Sequence, residues 1–262
     1  MKSYLDLLFK GEFAKADKLM QSMIPDKLYK FVSLSDDATR NEKRFKCLEN
    51  NTFFFAPIIK ENDPYEFKGI YLAEEELIRL GCPEDKANHI LSVYDPASWY
   101  SIACLTENDE HCLPMWAYYT NRYNGFCIEY SVDDPSRIYR VLYEGNRVSG
   151  APAISQLIQA YEEEKEKEAE YLLKLLKVTL YLKHISWDWE KEYRILWELD
   201  DKTVTSGSYV ELSRIGLRTS RVIAGINCMP EYQERLRAIC RDHSFAYNRS
   251  FISKTSFGVE VD

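Results

Sequence analysis

The run Trp187-Asp188-Trp189-Glu190-Lys191-Glu192-Tyr193-Arg194 puts two carboxylates and a guanidinium at alternate positions. On a strand over 189–199, alternation sets Glu190, Glu192 and Arg194 on one face and Tyr193, Ile195, Trp197 and Leu199 on the other. Carboxylates about 7 Å apart perturb one another, raising one acid while Arg194 keeps the other ionised. Glu190, Glu192 and Arg194 are therefore the candidate catalytic residues. An ion-pair ladder on a half-exposed strand is the competing reading.

Two further clusters are candidates for ligand binding. In Met115-Trp116-Ala117-Tyr118-Tyr119, the residues Trp116, Tyr119 and Tyr123 fall at i, i+3 and i+7, one helix face. Such a face is either core or a stacking wall for a planar ligand such as nicotinamide or a base. Asn62-Asp63-Pro64-Tyr65-Glu66 is a turn by its chemistry, and it delivers Asn62, Asp63 and Glu66 at the end of a β-prone run, Thr52–Ala56. The four histidines form no His-x-x-x-His pair, no Cys-x-x-Cys occurs, and no metal site is assigned. Gly-x-Ser-x-Gly, Walker and Rossmann glycine patterns are missing, which disfavours common hydrolases, kinases and dehydrogenases.

The elements that must position these groups alternate between helix and strand. Residues 1–24 have helical apolar spacing up to Pro25, and Leu28–Val32 reads as a strand. A helix over 38–49 follows the capping residues Ser35-Asp36-Asp37 and stops at Asn50-Asn51. Short helices over 72–92, a strand over 100–105, a helix over 114–122 and a strand over 126–132 come next. A strand over 138–143 leads to one long helix over 152–183, whose charge run forms a solvated face with a Glu163–Lys167 pair. Strands over 193–199, 208–212, 221–227 and 245–250, with a helix from Pro230, complete an α+β chain. The fold class is α+β with a mixed or antiparallel central sheet, flanking helices, a helical N-terminal extension over 1–25 and one domain over 26–262.

Composition sets limits on partners. With 42 Asp and Glu against 34 Lys and Arg, the net charge of −8 disfavours nonspecific nucleic-acid binding, although Arg214, Arg218 and Arg221, and Arg235, Arg237 and Arg241, are local basic groups. No run approaches the roughly 20 apolar residues that span a bilayer, so no membrane partner is expected. The seven scattered cysteines read as reduced thiols of a cytoplasmic protein. No pattern sets an oligomeric state.

The order of the clusters resembles the bacterial family called domain of unknown function 2971. That family reads Tyr-Lys-Tyr, Asn-Asp-Pro-Phe-Glu, a strand ending in Ser or Thr, Met-Trp-x-x-Tyr, then Lys-x-x-x-Trp-x-x-Glu-x-Glu-Tyr-Arg. This chain has Tyr29-Lys30-Phe31, Asn62-Asp63-Pro64-Tyr65-Glu66, Cys104-Leu105-Thr106, Met115–Tyr119 and Lys183–Arg194, so the resemblance spans about 28–250. A looser likeness is to ADP-ribosyltransferase-like folds. It implies Tyr29 and Lys30 beside a dinucleotide, Trp116 or Tyr119 against nicotinamide, and Glu192 or Glu190 acting on the ribose. Such enzymes carry His or Arg where this chain has Lys30, and no Ser-Thr-Ser strand is evident. The expected function is a nucleotide- or NAD-consuming transferase in a toxin or phage-defence setting, with NAD as substrate. The alternatives are a non-catalytic ligand-sensing or interaction module, and a metal-dependent nuclease using Asp63, Glu66 and Glu190.

Overall fold

The computed structural model describes residues 2–58, 63–199 and 207–262. The chain opens with two helices, α1 (Lys2–Phe9) and α2 (Phe13–Ser22), and strand β1 (Lys27–Val32). Helix α3 (Ala38–Glu49) precedes β2 (Thr52–Pro57), β3 (Ile70–Tyr71), α4 (Glu74–Arg79) and α5 (Glu84–Val93). Next come β4 (Tyr100–Thr106), α6 (Leu113–Tyr119), β5 (Phe126–Val132), β6 (Ile138–Arg140), β7 (Leu142–Glu144) and β8 (Val148–Ser149). Helices α7 (Ala151–Glu162) and α8 (Glu166–Lys177) lead to β9 (Leu182–His184), β10 (Glu192–Glu198), β11 (Ser208–Glu211) and β12 (Leu217–Ala224). The last elements are α9 (Pro230–His243), β13 (Ala246–Ile252) and β14 (Val259–Val261). This is the expected α+β class.

The main sheet has ten strands, antiparallel except for the β12–β13 pair. Strand β4 is its branch point. Along one edge it pairs with β10 from Glu192↔Thr106 to Glu198↔Tyr100, and β6 lies beyond β10. Its other edge is divided: β2 pairs at Ala56↔Ile102 and Pro57↔Ser101, and β1 only at Tyr29↔Thr106. Between those contacts the Lys30 ammonium donates to the Cys104 carbonyl at 2.9 Å. Strands β5, β12, β13 and β14 continue outward from β1, while β11 caps β2.

The two faces of β10 feed different parts of the core. Tyr193, Ile195 and Trp197 pack with Phe45, Phe55, Phe126 and Leu236 under α3 and α9, as alternation predicts. On the opposite face Leu196 joins Ile102, Leu180 and Tyr181, and here α1 and α2 bury Tyr4, Leu8, Ala16 and Met20. Each fully buried Leu, Ile, Phe or Met among them contributes about 1.5–3 kcal/mol.

Local chemistry sets most element ends. Asp37 caps α3 by accepting the Arg40 N–H at 3.0 Å, and Asn51 leaves it in the left-handed region (φ 53°). Three elements differ from expectation. The N-terminal helix is broken at Gly11 (φ 74°), whose left-handed backbone folds α2 back from α1. The long helix over 152–183 is a hairpin of α7 and α8, broken at Glu164 (φ 57°), because pairing the helices buries Ala160, Ala169 and Leu172 together. Its acidic run lies at the break, where Lys165 pairs with Glu163 and Glu168 in place of a Glu163–Lys167 pair. The strand over 138–143 is divided at Val141 into β6, on β10, and β7, parallel to β9.

The arginine groups are largely spent on carboxylates. Arg218 pairs with Asp133, Arg221 with Glu110 and Glu129, Arg235 with Glu42 and Glu49, and Arg237 with Glu234. All seven cysteines are free thiols. Among the described residues no helix is long and apolar enough to cross a membrane.

Candidate functional site

The candidate site forms where the link from β9 to β10 meets the β4 branch. That link is a 3₁₀ segment, Ile185–Glu190, which begins with the His184 side chain accepting the Ser186 N–H. Lys191 closes it in the left-handed region (φ 46°) and turns the chain into β10. The Thr106 hydroxyl and the Asn108 amide donate to the Glu190 carbonyl at 2.6 and 3.1 Å and hold the turn against the end of β4. The expected strand over 189–199 is therefore corrected at its start. Glu192 and Arg194 share a face by alternation, but Glu190 arrives from a turn.

Five buried charges meet there. Arg194 donates through Nε to Glu192 at 2.8 Å, through one terminal nitrogen to Glu66 at 2.5 Å, and through the other to the Leu180 carbonyl at 2.8 Å. Lys183, from β9, reaches Glu190 at 2.7 Å, Glu192 at 2.9 Å and Glu66 at 3.5 Å. The Tyr119 hydroxyl, from the end of α6, donates to the free oxygen of Glu190. The Tyr143 hydroxyl accepts the Glu192 N–H at 2.9 Å. Within this cluster three glutamates against one lysine and one arginine leave a surplus of one negative charge when all are ionised, which the Lys30 ammonium on the same cavity wall offsets.

Burial alone would push the Glu192 carboxyl up, but Arg194 and Lys183 outweigh it and bring it from the ordinary 4.5 to about 2. Burial would lower the Lys183 ammonium, yet Glu192, Glu66 and Glu190 raise it above the usual lysine range. Lys183 is thus a fixed cation rather than an amine nucleophile. Burial, then the Glu190 carboxylate, pushes the Tyr119 phenol up, so Tyr119 remains a donor.

Two cavities adjoin at Lys183. The inner one, of about 90 Å³, is lined by Tyr29, Lys30, Phe31, Glu66, Thr106, Met115, Tyr119, Lys183, Glu190 and Glu192. The outer one, of about 350 Å³, is lined by Tyr65, Lys68, Glu144, Arg147, Lys183 and His184 among others. Ligand pockets span about 300–1,000 Å³, so the inner cavity alone holds only a small group. A nucleotide would have to span both.

Six of the candidates picked out in the sequence thus line one cavity: Tyr29, Lys30, Glu66, Tyr119, Glu190 and Glu192. Arg194 lies behind the wall, 1% exposed, and orients two of the carboxylates. Trp116 is fully buried, with its indole N–H on the Glu110 carbonyl and its ring edge-on to Phe31 at 5.1 Å. It supports the wall and offers no stacking face. Asp63 accepts the Tyr65 N–H at 2.9 Å within the turn, and Asn62 lies outside the described residues. The sequence reading passed over Lys183 as a site residue. Its signal was its place as the first residue of the Lys-x-x-x-Trp motif, at the end of the run Val178–Leu182.

Residues 115–195 match the family model for a protein of unknown function, DUF2971. The resemblance seen in the motifs holds over that segment. The matched segment supplies Tyr119, Lys183, Glu190, Glu192 and Arg194, whereas Tyr29, Lys30 and Glu66 come from outside it. No curated protein and no solved structure matches the chain.

A second buried ion group stands behind Tyr29. Glu129, 3% exposed, receives Arg221 at 2.6 Å, Lys27 at 3.0 Å, Ser220 at 2.9 Å and the Tyr29 hydroxyl at 3.3 Å. Burial, with Glu129 and Glu110 adding to it, pushes the Tyr29 phenol up, so Tyr29 enters the inner cavity as a neutral ring. Three glutamates facing one lysine suggest a metal site by composition, but the Lys183 ammonium fills their centre. Among the described residues no group of three or more His, Cys, Asp and Glu is placed to share a metal ion.

Proposed function

We propose that the chain is a nucleotide-consuming transferase that binds NAD across the two cavities and breaks its N-glycosidic bond. The observation that carries this reading is the gathering of three carboxylates, Glu66, Glu190 and Glu192, at the inner cavity beside a basic, aromatic outer one. Breaking an N-glycosidic bond develops oxocarbenium charge on the ribose, which a fixed carboxylate stabilises. Glu190 suits that role because its oxygens meet only Lys183 and the Tyr119 hydroxyl, both at the cavity wall. Glu192 suits it less, since two cations, Lys183 and Arg194, hold its oxygens, whereas Glu190 meets only one. Glu192 and Arg194 are then positioning residues. Lys68, Arg147 and His184 offer donors for phosphates, with Tyr65 for an aromatic base. In this reading Tyr29 and Tyr119 flank the nicotinamide, and the activity belongs to a toxin or phage-defence setting.

Incubation with NAD and a cell extract as acceptor is expected to release nicotinamide. Glu190→Gln is expected to abolish release while Arg147→Ala raises KM about tenfold. The second reading, a non-catalytic ligand-sensing module, draws on the complete pairing of Glu192. Binding of NAD by calorimetry with no turnover in any extract would favour it, and neither binding nor release would remove both.

A further inference from the structure

Helices α5, α7 and α8 close over the start of β4 and leave a cavity of about 380 Å³. Its walls include Ile90, Ile154, Leu157 and Leu176, and its size falls within the range of ligand pockets, about 300–1,000 Å³. Water gains little in such a space, because it needs several polar partners. Two polar features break the apolar lining.

The first is Tyr94, which lines the cavity and whose buried hydroxyl has no hydrogen-bond partner. A buried hydroxyl left unpaired is costly, and a ligand atom there would relieve it. Burial pushes its pKa up to about 12, so it remains a donor. The second feature is charge. Lys174 pairs with Glu170 at 3.2 Å, while Lys177 lies over the Tyr100 and Tyr139 rings at 5.2 and 5.4 Å and has no carboxylate partner among the described residues. Two lysines against one glutamate leave one positive charge beside an apolar chamber. In a chain of net charge −8, that is a local exception.

We propose that this cavity binds a single-chain aliphatic carboxylate of medium length, with its methylenes against Ile154, Leu157 and Leu176 and its carboxylate at Lys177. The Tyr94 hydroxyl supplies a donor inside the cavity. The site is separate from the nucleotide reading and does not depend on it.

Calorimetry of the full chain with octanoate, nonanoate and decanoate tests this. Affinity is expected to rise about fourfold for each added methylene, the equivalent of its transfer from water. Decyltrimethylammonium, with the same tail and the opposite charge, is expected to bind at least about tenfold more weakly than decanoate. Lys177→Glu is expected to weaken decanoate by about tenfold, and Leu157→Trp to remove binding by filling the space. Ile154→Phe serves as a second filling variant should circular dichroism show Leu157→Trp unfolded. No saturable decanoate binding, equal binding of both head groups, or binding unchanged in Lys177→Glu and the filling variants would overturn the proposal.

Discussion

Glu192 and Arg194 lie on one face of β10, and Lys183 reaches the same carboxylate from β9, so each cation serves more than one acid. Removing a cation and removing an acid are therefore unequal changes. Lys183→Met leaves three glutamates against Arg194 alone, doubling the buried surplus, and a buried charge stripped of its partner costs about 3–5 kcal/mol. Glu66→Gln instead balances the charges and is expected to cost less, about 1–2 kcal/mol, through weakened hydrogen bonds. Urea unfolding of the two variants measures the difference, and equal losses would contradict the charge count. The acid limb follows from Glu192. Its folded value near 2 lies below the ordinary 4.5, so its stabilisation is present above 4.5 and is lost as pH falls towards 2. The contribution is on the order of 3 kcal/mol. Glu192→Gln is expected to flatten the fall in stability between those values, as followed by chemical denaturation across pH.

At the scale of elements, the turn before β10 decides whether Glu190 faces the cavity. Lys191 holds it with a left-handed backbone, which a residue without Cβ adopts freely and a β-branched one resists. Lys191→Gly is expected to match or exceed the parent in stability, whereas Lys191→Val loses about 1–2 kcal/mol and weakens ligand binding. Thermal melts of both variants check this. The same turn shows how far the sequence could be read. The faces of β10, the Asp37 cap and the start of α9 at Pro230 were legible because each depends on residues within one turn or one strand. The route of Glu190 was not, since Thr106 and Asn108, distant in sequence, hold its carbonyl and replace strand pairing with a turn. The α7–α8 break was hidden for a similar reason. Its acidic run suits an exposed helix face as well as an exposed turn, and only the packing of Ala160 on Ala169 and Leu172 separates the two. Lys183 was visible as the first residue of a motif but without a role, because its meaning comes from three acids brought in by other elements.

Across the whole molecule, α1 and α2 belong to the apolar cluster on the face of β10 that also carries Glu192 and Arg194. Tyr4 meets Tyr181 through their hydroxyls at 3.0 Å, and Met20 is buried against the same group. The Leu180 carbonyl held by Arg194 is adjacent to this contact. Deleting residues 2–22 exposes Tyr181 and Tyr139, and the lost burial of several side chains at about 1.5–3 kcal/mol each should lower Tm by at least about 10 °C. Differential scanning calorimetry reads this directly, and an unchanged Tm would show that the two helices are dispensable to the core.

The branch at β4 has a consequence for how the chain is made. Its longest ladder joins residues 100–106 to residues 192–198, and Glu66 waits for Lys183 and Arg194 to reach it. A ribosome adding about 5–20 residues per second emits β2 and β4 several seconds before β10 can cover the open edge. During that interval Glu66 has no cation and the edge of β4 is open to other chains. Nascent polypeptides arrested before residue 190 should therefore associate, while those released after β10 should close on themselves.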